Sequence, residues 1–221
     1  MIGASTPGKP PQPKRKRPKR QRPAAPAAQT PSTRVQILQS AAVAFRRLGY
    51  HGATVEQIAA SLRMKKGNLY YYFRNKEEIL FACHQYSLDR ILELLDDIER
   101  SDEGPEGKLR QLIVAFVHTI LDTLQGTTLF IDLEALTPSH LKTIIGRRDR
   151  VDRGMRQIIA DGVAVGAFVP SDPKLLSFAI LGAVNWIPRW FDPQGPQGSA
   201  EIGAAFAALV LDGLRTRGGR R

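Results

Sequence analysis

The sequence predicts an all-α protein of about nine helices, a small basic helix-turn-helix domain ahead of a larger helical body. Three observations carry that prediction. Apolar residues recur three or four positions apart through most of residues 32–214. Capping-box pairs, a Thr or Asn followed three residues later by Gln or Glu, open several of these runs. No stretch of alternating β-branched residues reads as a strand.

Residues 1–31 come first and carry no such pattern: they are Pro, Ala, Lys and Arg with almost nothing to bury, so they are expected to form a disordered arm. Ile37, Ala41, Phe45 and Leu48 then share one helical face, with Thr33 and Gln36 as the capping box and Gly49 as the stop. A second box, Thr54 with Gln57, precedes Val55, Ile58, Ala59 and Leu62 at i, i+3, i+4 and i+7. A third, Asn75 with Glu78, opens a long amphipathic helix that ends near Arg100. Further helices are expected over residues 110–124, 128–136, 138–161, 173–190 and 200–214.

Between Leu62 and Asn75 there is room only for a turn and about two helical turns. Leu69 and Phe73, at i and i+4, must face inward, which turns Gly67, Asn68, Tyr70 and Tyr71 outward. Exposed tyrosines beside lysines on so short a helix make poor surface and good contact. Gly67 clears room for a phosphate to approach backbone at a helix start with partial positive charge. Two short helices with a basic outer face on the second describe a helix-turn-helix that lays that helix in the DNA major groove.

The charge distribution agrees with a polyanionic partner at one end. The net charge is +11, divided into +12 in residues 1–29 and 215–221, +5 in residues 30–80 and −6 in residues 81–214. No apolar run reaches the eighteen residues of a membrane span. No secretory signal is evident, and the single cysteine, Cys83, shares a face with Ile79 and reads as core, so a cytoplasmic protein is expected. His51, His84, His118 and His140 show no metal spacing, and no nucleophile–base set assembles, so no enzyme, cofactor or metal is expected.

The series Ala42, Phe45, Gly49, Tyr50, Ala53, Thr54, Val55, Ile58, Ala59, Gly67, Leu69, Tyr70, Tyr71, Phe73, Lys76, Glu78 and Leu80 resembles the N-terminal domain of TetR-family bacterial transcriptional regulators. The resemblance implies a homodimer on a palindromic double-stranded DNA operator, with DNA contacts from Thr54, Lys65, Lys66, Gly67, Asn68, Tyr70, Tyr71, Tyr72 and Lys76. Lys66 and Tyr71 would reach base edges, and Lys76 a phosphate. Position 72, often histidine in the family, is tyrosine here, and position 65, often a capping serine, is lysine. The recognition helix should therefore start with a less sharp cap. The implied domains are an arm over 1–31, a DNA-binding domain over 32–78, a ligand-binding and dimerisation domain over 79–214 and a basic tail over 215–221.

The run from Gly182 to Phe191, with Gly166-Ala167-Phe168 before it, is similar to a subgroup of these regulators that controls lipid or steroid degradation and answers to acyl-coenzyme A thioesters. That similarity implies a small-molecule effector pocket near Arg148, Arg189, Trp186, His118 and Phe116. Arg147, Arg148, Arg150, Arg153, Arg156 and Arg189 are either cations for the coenzyme's phosphates or partners of Asp149, Asp152, Asp161 and Glu134 in ion pairs. Leu175, Ala179, Gly182 and Trp186, with Ile202, Phe206, Leu209 and Leu214, form either a four-helix dimer interface or an internal core. Lys19 to Pro23 faintly resembles an AT-hook, so the arm is expected to track the minor groove or adjacent phosphates. The competing reading is an architectural nucleic-acid-binding protein that acts through this arm alone.

Overall fold

The computed structural model describes residues 32–123 and 132–215. The arm predicted over 1–31, the first residues of the helix predicted over 128–136, and residues 216–221 of the basic tail lie outside the described residues.

Eight α-helices are present among the described residues, and no strand. Helix α1 (Thr33–Gly52) starts one residue earlier than its sequence suggests: Ser32, not Thr33, is the N-cap, its hydroxyl accepting from the Val35 N–H at 3.4 Å. It breaks at Gly49, whose φ of 69° is open to glycine and costly for other residues. Helix α2 (Val55–Ser61) carries the expected reciprocal box: Thr54 Oγ1 accepts from the Gln57 N–H at 3.2 Å, and Gln57 Oε1 from the Thr54 N–H at 2.9 Å. Helix α3 (Lys66–Tyr72) follows a turn in which Arg63 sits at φ 54°, the left-handed residue that so tight a reversal needs. Helix α4 (Lys76–Arg100) is capped by Asn75, which accepts from the Glu78 N–H at 2.8 Å. Glu78 does not reciprocate to Asn75; it takes the Arg74 N–H at 2.6 Å, one residue upstream.

Helix α5 (Pro105–His118) begins five residues before its predicted start, at a Gly-Pro step where Pro105 supplies the first helical residue, and it runs into a π-helical turn, Thr119–Thr123. The described part of the helix expected over 128–136 is one 3₁₀ turn, Leu133–Ala135. Helix α6 (Pro138–Ala164) and helix α8 (Ser199–Leu214) follow their predicted bounds within a turn. Helix α7 (Pro173–Trp186) stops short of Trp190 because Pro188 cannot continue it, and Ile187–Arg189 forms a 3₁₀ turn instead.

Helix α5 is the centre of the body, packed against α4, α6, α7 and most extensively α8. Gly203 permits the α8 contact: a Cβ there would stand 3.3 Å from Val114 Cα. The core runs without interruption from Ile37, Phe45, Leu69 and Phe73 in the head, along Leu80, Ile91 and Leu95 of α4, to Leu109 and Leu112 of α5. Long α4 therefore joins head and body through one hydrophobic cluster. No described helix is long and apolar enough to cross a membrane.

Candidate nucleic-acid interface and ligand cavity

The seven residues of α3 are sorted by burial as their spacing requires. Leu69 and the following Phe73 are fully buried and anchor the helix, while Tyr71 is 86% exposed and Tyr70 41%. Tyr72 is half-buried, its ring edge-on to Tyr71 at 5.3 Å. Lys65 is the N-cap and makes no side-chain capping bond, as its replacement of a small hydroxyl residue predicts. Gly67 has no positive φ, and a Cβ there would meet nothing within 4 Å. Nothing inside the chain requires glycine at that place; a macromolecule pressed against the surface would. Asn68 and Thr54 are exposed on the same small domain, Thr54 with its hydroxyl already engaged as a cap.

Two expected contact residues are engaged within the protein. Lys66 forms an ion pair with Glu56 of α2, and its ammonium lies 5.6 Å from the Tyr70 ring centroid. Lys76 is engaged more fully. Its Nζ donates to the carbonyls of Tyr50 at 2.7 Å and Ala53 at 2.9 Å, and rests 4.3 Å over the Tyr50 ring. These bonds tie the start of α4 to the link between α1 and α2, so Lys76 positions the head.

Beneath the head a second polar junction joins it to the body. Glu77 Oε1 accepts from the Thr137 N–H at 2.9 Å and lies 2.7 Å from His140 Nδ1. In return Asp132 Oδ2 accepts from the Tyr50 N–H at 2.7 Å. Burial, then the carboxylates of Glu77 and Asp132, push the Tyr50 phenol above its ordinary range.

The body holds a cavity of about 400 Å³ among α4, α5, α6 and α7, within the usual size of small-molecule sites. Leu88, Phe116, Ile145, Phe178 and Leu181 make it largely apolar, and Arg148, Asp149, Asp152 and Asn185 give it polar points. Burial holds the Arg148 guanidinium down to about 10, still charged at neutral pH. Asn185 Oδ1 is buried with no hydrogen-bond partner among the described residues. Asp152 is neutralised by Arg156 and accepts from Ser177 Oγ at 2.6 Å.

Arg148 and Phe116 thus meet at one cavity, whereas Trp186, Arg189 and His118 do not line it. His118 is exposed on α5, away from the cavity wall. Trp186 is 62% exposed on the outer face of α7, where the Arg189 guanidinium lies 5.6 Å from its ring. The arginine alternatives also separate. Arg147 pairs with Asp89, Arg150 with Asp96 and Glu99, and Arg156 with Asp152. Most of these acids come from α4, which runs beside α6, and not from the acids nearer in sequence. Of the residues not named for the pocket, Asn185 lies in the Gly182–Phe191 run already singled out, whereas Leu88 and Phe178 have no signal in the chain beyond lying on helices that converge here.

Among the described residues, no group of three or more His, Cys, Asp or Glu is placed to hold a metal ion. Cys83 is buried with its thiol 3.5 Å from the Leu38 carbonyl, and burial pushes its pKa up, so it is core.

A short helix offering tyrosines and lysines outward, carried on a three-helix head over a helical body with a cavity, defines a DNA-binding regulator with a ligand-sized chamber. Comparison with known proteins agrees. Residues 37–83 match the family model described as bacterial regulatory proteins, tetR family, and residues 102–214 match the tetracyclin repressor-like C-terminal domain. The chain belongs to the TetR family of transcriptional regulators. It is 29% identical over 191 residues to the transcriptional repressor KstR2 of Mycolicibacterium smegmatis, covering 85% of this chain and 93% of that one. The structure of the ketosteroid regulator KstR2 of Mycobacterium tuberculosis superposes with a TM-score of 0.75 at 26% identity, over 86% of this chain and 99% of that chain. AibR, in complex with isovaleryl coenzyme A and operator DNA, superposes with a TM-score of 0.69 at 27% identity, over 80% and 97%.

Proposed function

We propose that this protein is a ligand-responsive repressor that binds a palindromic operator as a homodimer in the cytoplasm and leaves it when a small molecule, an acyl-coenzyme A thioester, enters the body. The observation that carries the DNA half is the outward display of Tyr71 and Tyr70 beside an open Gly67 on a helix anchored by Leu69 and Phe73. Residues 32–78 serve as the DNA-binding domain and 79–214 as the effector and dimer domain, with Thr54, Lys65, Lys66, Gly67, Asn68, Tyr70, Tyr71, Tyr72 and Lys76 at the DNA.

Dimerisation is supported by large apolar side chains left exposed on α7, just after it and on α8, namely Leu175, Trp186, Trp190 and Leu209. That exposure favours the interface reading over the internal core for Leu175, Ala179, Gly182 and Trp186; on α8, Ile202 and Leu214 belong to the core. The effector reading draws on the cavity, whose apolar wall suits an acyl chain and whose Arg148 suits a thioester carbonyl or a phosphate. It draws also on AibR, which was captured with isovaleryl coenzyme A. Helix α6 lines the cavity with Arg148 and holds Glu77 of α4 at its first turn, so a ligand that moves α6 moves the head and alters the separation of two recognition helices.

Footprinting on the DNA upstream of the protein's own gene tests the reading. Protection of two half-sites about one helical turn apart, or a multiple of it, is expected. Uniform coating of any duplex would favour the architectural alternative. A gel-shift titration with a panel of acyl-coenzyme A thioesters tests the effector: release from the protected fragment is expected, and indifference to the whole panel would remove the acyl-coenzyme A assignment alone.

A further inference from the structure

Within residues 32–75 the sequence has seven basic side chains and one acid, Glu56. That acid lies beside the proposed DNA-reading helix: its carboxylate forms an ion pair with the ammonium of Lys66, the first residue of α3, and the two side chains are 57% and 49% exposed. The same ammonium lies over the Tyr70 ring. Lys66 is therefore folded back between a carboxylate and an aromatic face on the surface where a free cation would bind phosphate most readily.

The fold does not need this arrangement. The start of α2 is capped by Thr54 and Gln57, whose reciprocal bonds satisfy each other's N–H groups, so the first-turn carboxylate of Glu56 is a minor addition to a cap already made. An ion pair this exposed contributes little to stability. The hydrogen bond from Lys66 holds the Glu56 carboxyl below its usual range, so it is ionised whenever the protein meets DNA.

We infer that Glu56 is a specificity-determining residue, which lowers affinity for arbitrary duplex by occupying Lys66 and by opposing the phosphates, and which costs less at an operator. The inference rests on the DNA-binding reading above. On an arbitrary duplex the affinity comes from phosphates exchanging their counterions for protein cations, and a lysine already holding a carboxylate releases no counterion. An operator also presents base edges in the major groove, and a carboxylate there accepts a hydrogen bond from a cytosine amino group. The acid thus penalises the contacts that every sequence offers more than those that one sequence offers.

The test compares the full-length protein with Glu56→Gln and Glu56→Ala, by fluorescence anisotropy, on a random-sequence 30-base-pair duplex and on the footprinted operator fragment between about 50 and 300 mM KCl. Both variants are expected to bind the random duplex about five- to tenfold tighter at about 0.1 M salt, with the slope of log affinity against log salt steeper by about 0.9 for each protomer engaged. Operator affinity is expected to rise less than about threefold, so the ratio between the two DNAs falls. Thermal unfolding should be unchanged. Random-duplex affinity and slope that stay constant in both variants would overturn the inference, as would equal tightening on both DNAs, which a general change of charge produces. If the unaltered protein shows no preference for the footprinted fragment, the regulator reading fails and takes this inference with it; a preference kept by the unaltered protein and by both variants in full defeats the inference alone.

Discussion

The imidazole of His140, in the first turn of α6, is sandwiched at the seam between head and body: Nδ1 lies 2.7 Å from Glu77 Oε1, and the ring stacks on Phe81 at 3.7 Å and 4°. Glu77 and Phe81 lie one turn apart near the start of α4, so one side chain of α6 grips two of α4. Because α6 also lines the cavity, this grip is a non-covalent link from the chamber wall to the DNA head, beside α4 itself, which lines the cavity with Leu88.

Removing the grip should be measurable in the fold itself. His140→Ala is expected to destabilise the protein by about 1–2 kcal/mol in urea unfolding, from a lost hydrogen bond and a lost ring contact. In a double-mutant cycle with Glu77→Gln the coupling should be about 0.5–3 kcal/mol, and strict additivity would show that the two side chains do not act together.

Tyr71 and Lys76 should separate by the kind of damage they cause. Tyr71→Ala removes a ring that supports almost nothing inside the chain, so operator affinity is expected to fall about tenfold or more with the melting temperature unmoved. Lys76→Met deprives two buried-side carbonyls of their donor, and should cost about 1–3 kcal/mol of stability before any effect on DNA. Comparing thermal melts with gel shifts for the two variants checks both; a destabilised Tyr71 variant would contradict its placement.

Arg148 carries a pH signature. Its folded pKa, down at about 10, lies below the ordinary arginine value, so the unfolded chain holds its proton more tightly and the charged residue costs the fold stability at neutral pH. That cost should shrink as pH rises through about 10, where the folded state gives up its proton first. Arg148→Met is accordingly expected to raise stability at pH 7 by roughly 1–2 kcal/mol and to abolish release by an anionic effector. Equal or lower stability in the variant, measured by denaturant titration, would show that the guanidinium is better solvated than its position indicates.

The outer face of α7 and α8 makes a further prediction. Leu209 is 74% exposed and Trp186 nearly as much, so Leu209→Asp with Trp186→Asp should leave the monomer folded. Sedimentation equilibrium should then report a monomer where the unaltered protein reports a dimer. An unaltered protein that is itself monomeric would remove the homodimer from the reading.

Whatever neighbours along the chain can settle is legible in the order of residues. Capping pairs at Thr54 and Asn75, the break at Gly49 and the inward pair Leu69 and Phe73 depend on residues within a turn of one another, and so the head was legible in detail. Packing between distant helices sets which acids the α6 arginines meet, that Phe116 and Arg148 share a chamber which His118 and Trp186 do not line, and that Lys76 is tied to Tyr50 and Ala53. Helical periodicity defines the angle between faces on one helix but not the partner that each face receives. That choice is made by the rotation and crossing of helices distant in sequence, where burial of α5 against four neighbours outweighs any local preference.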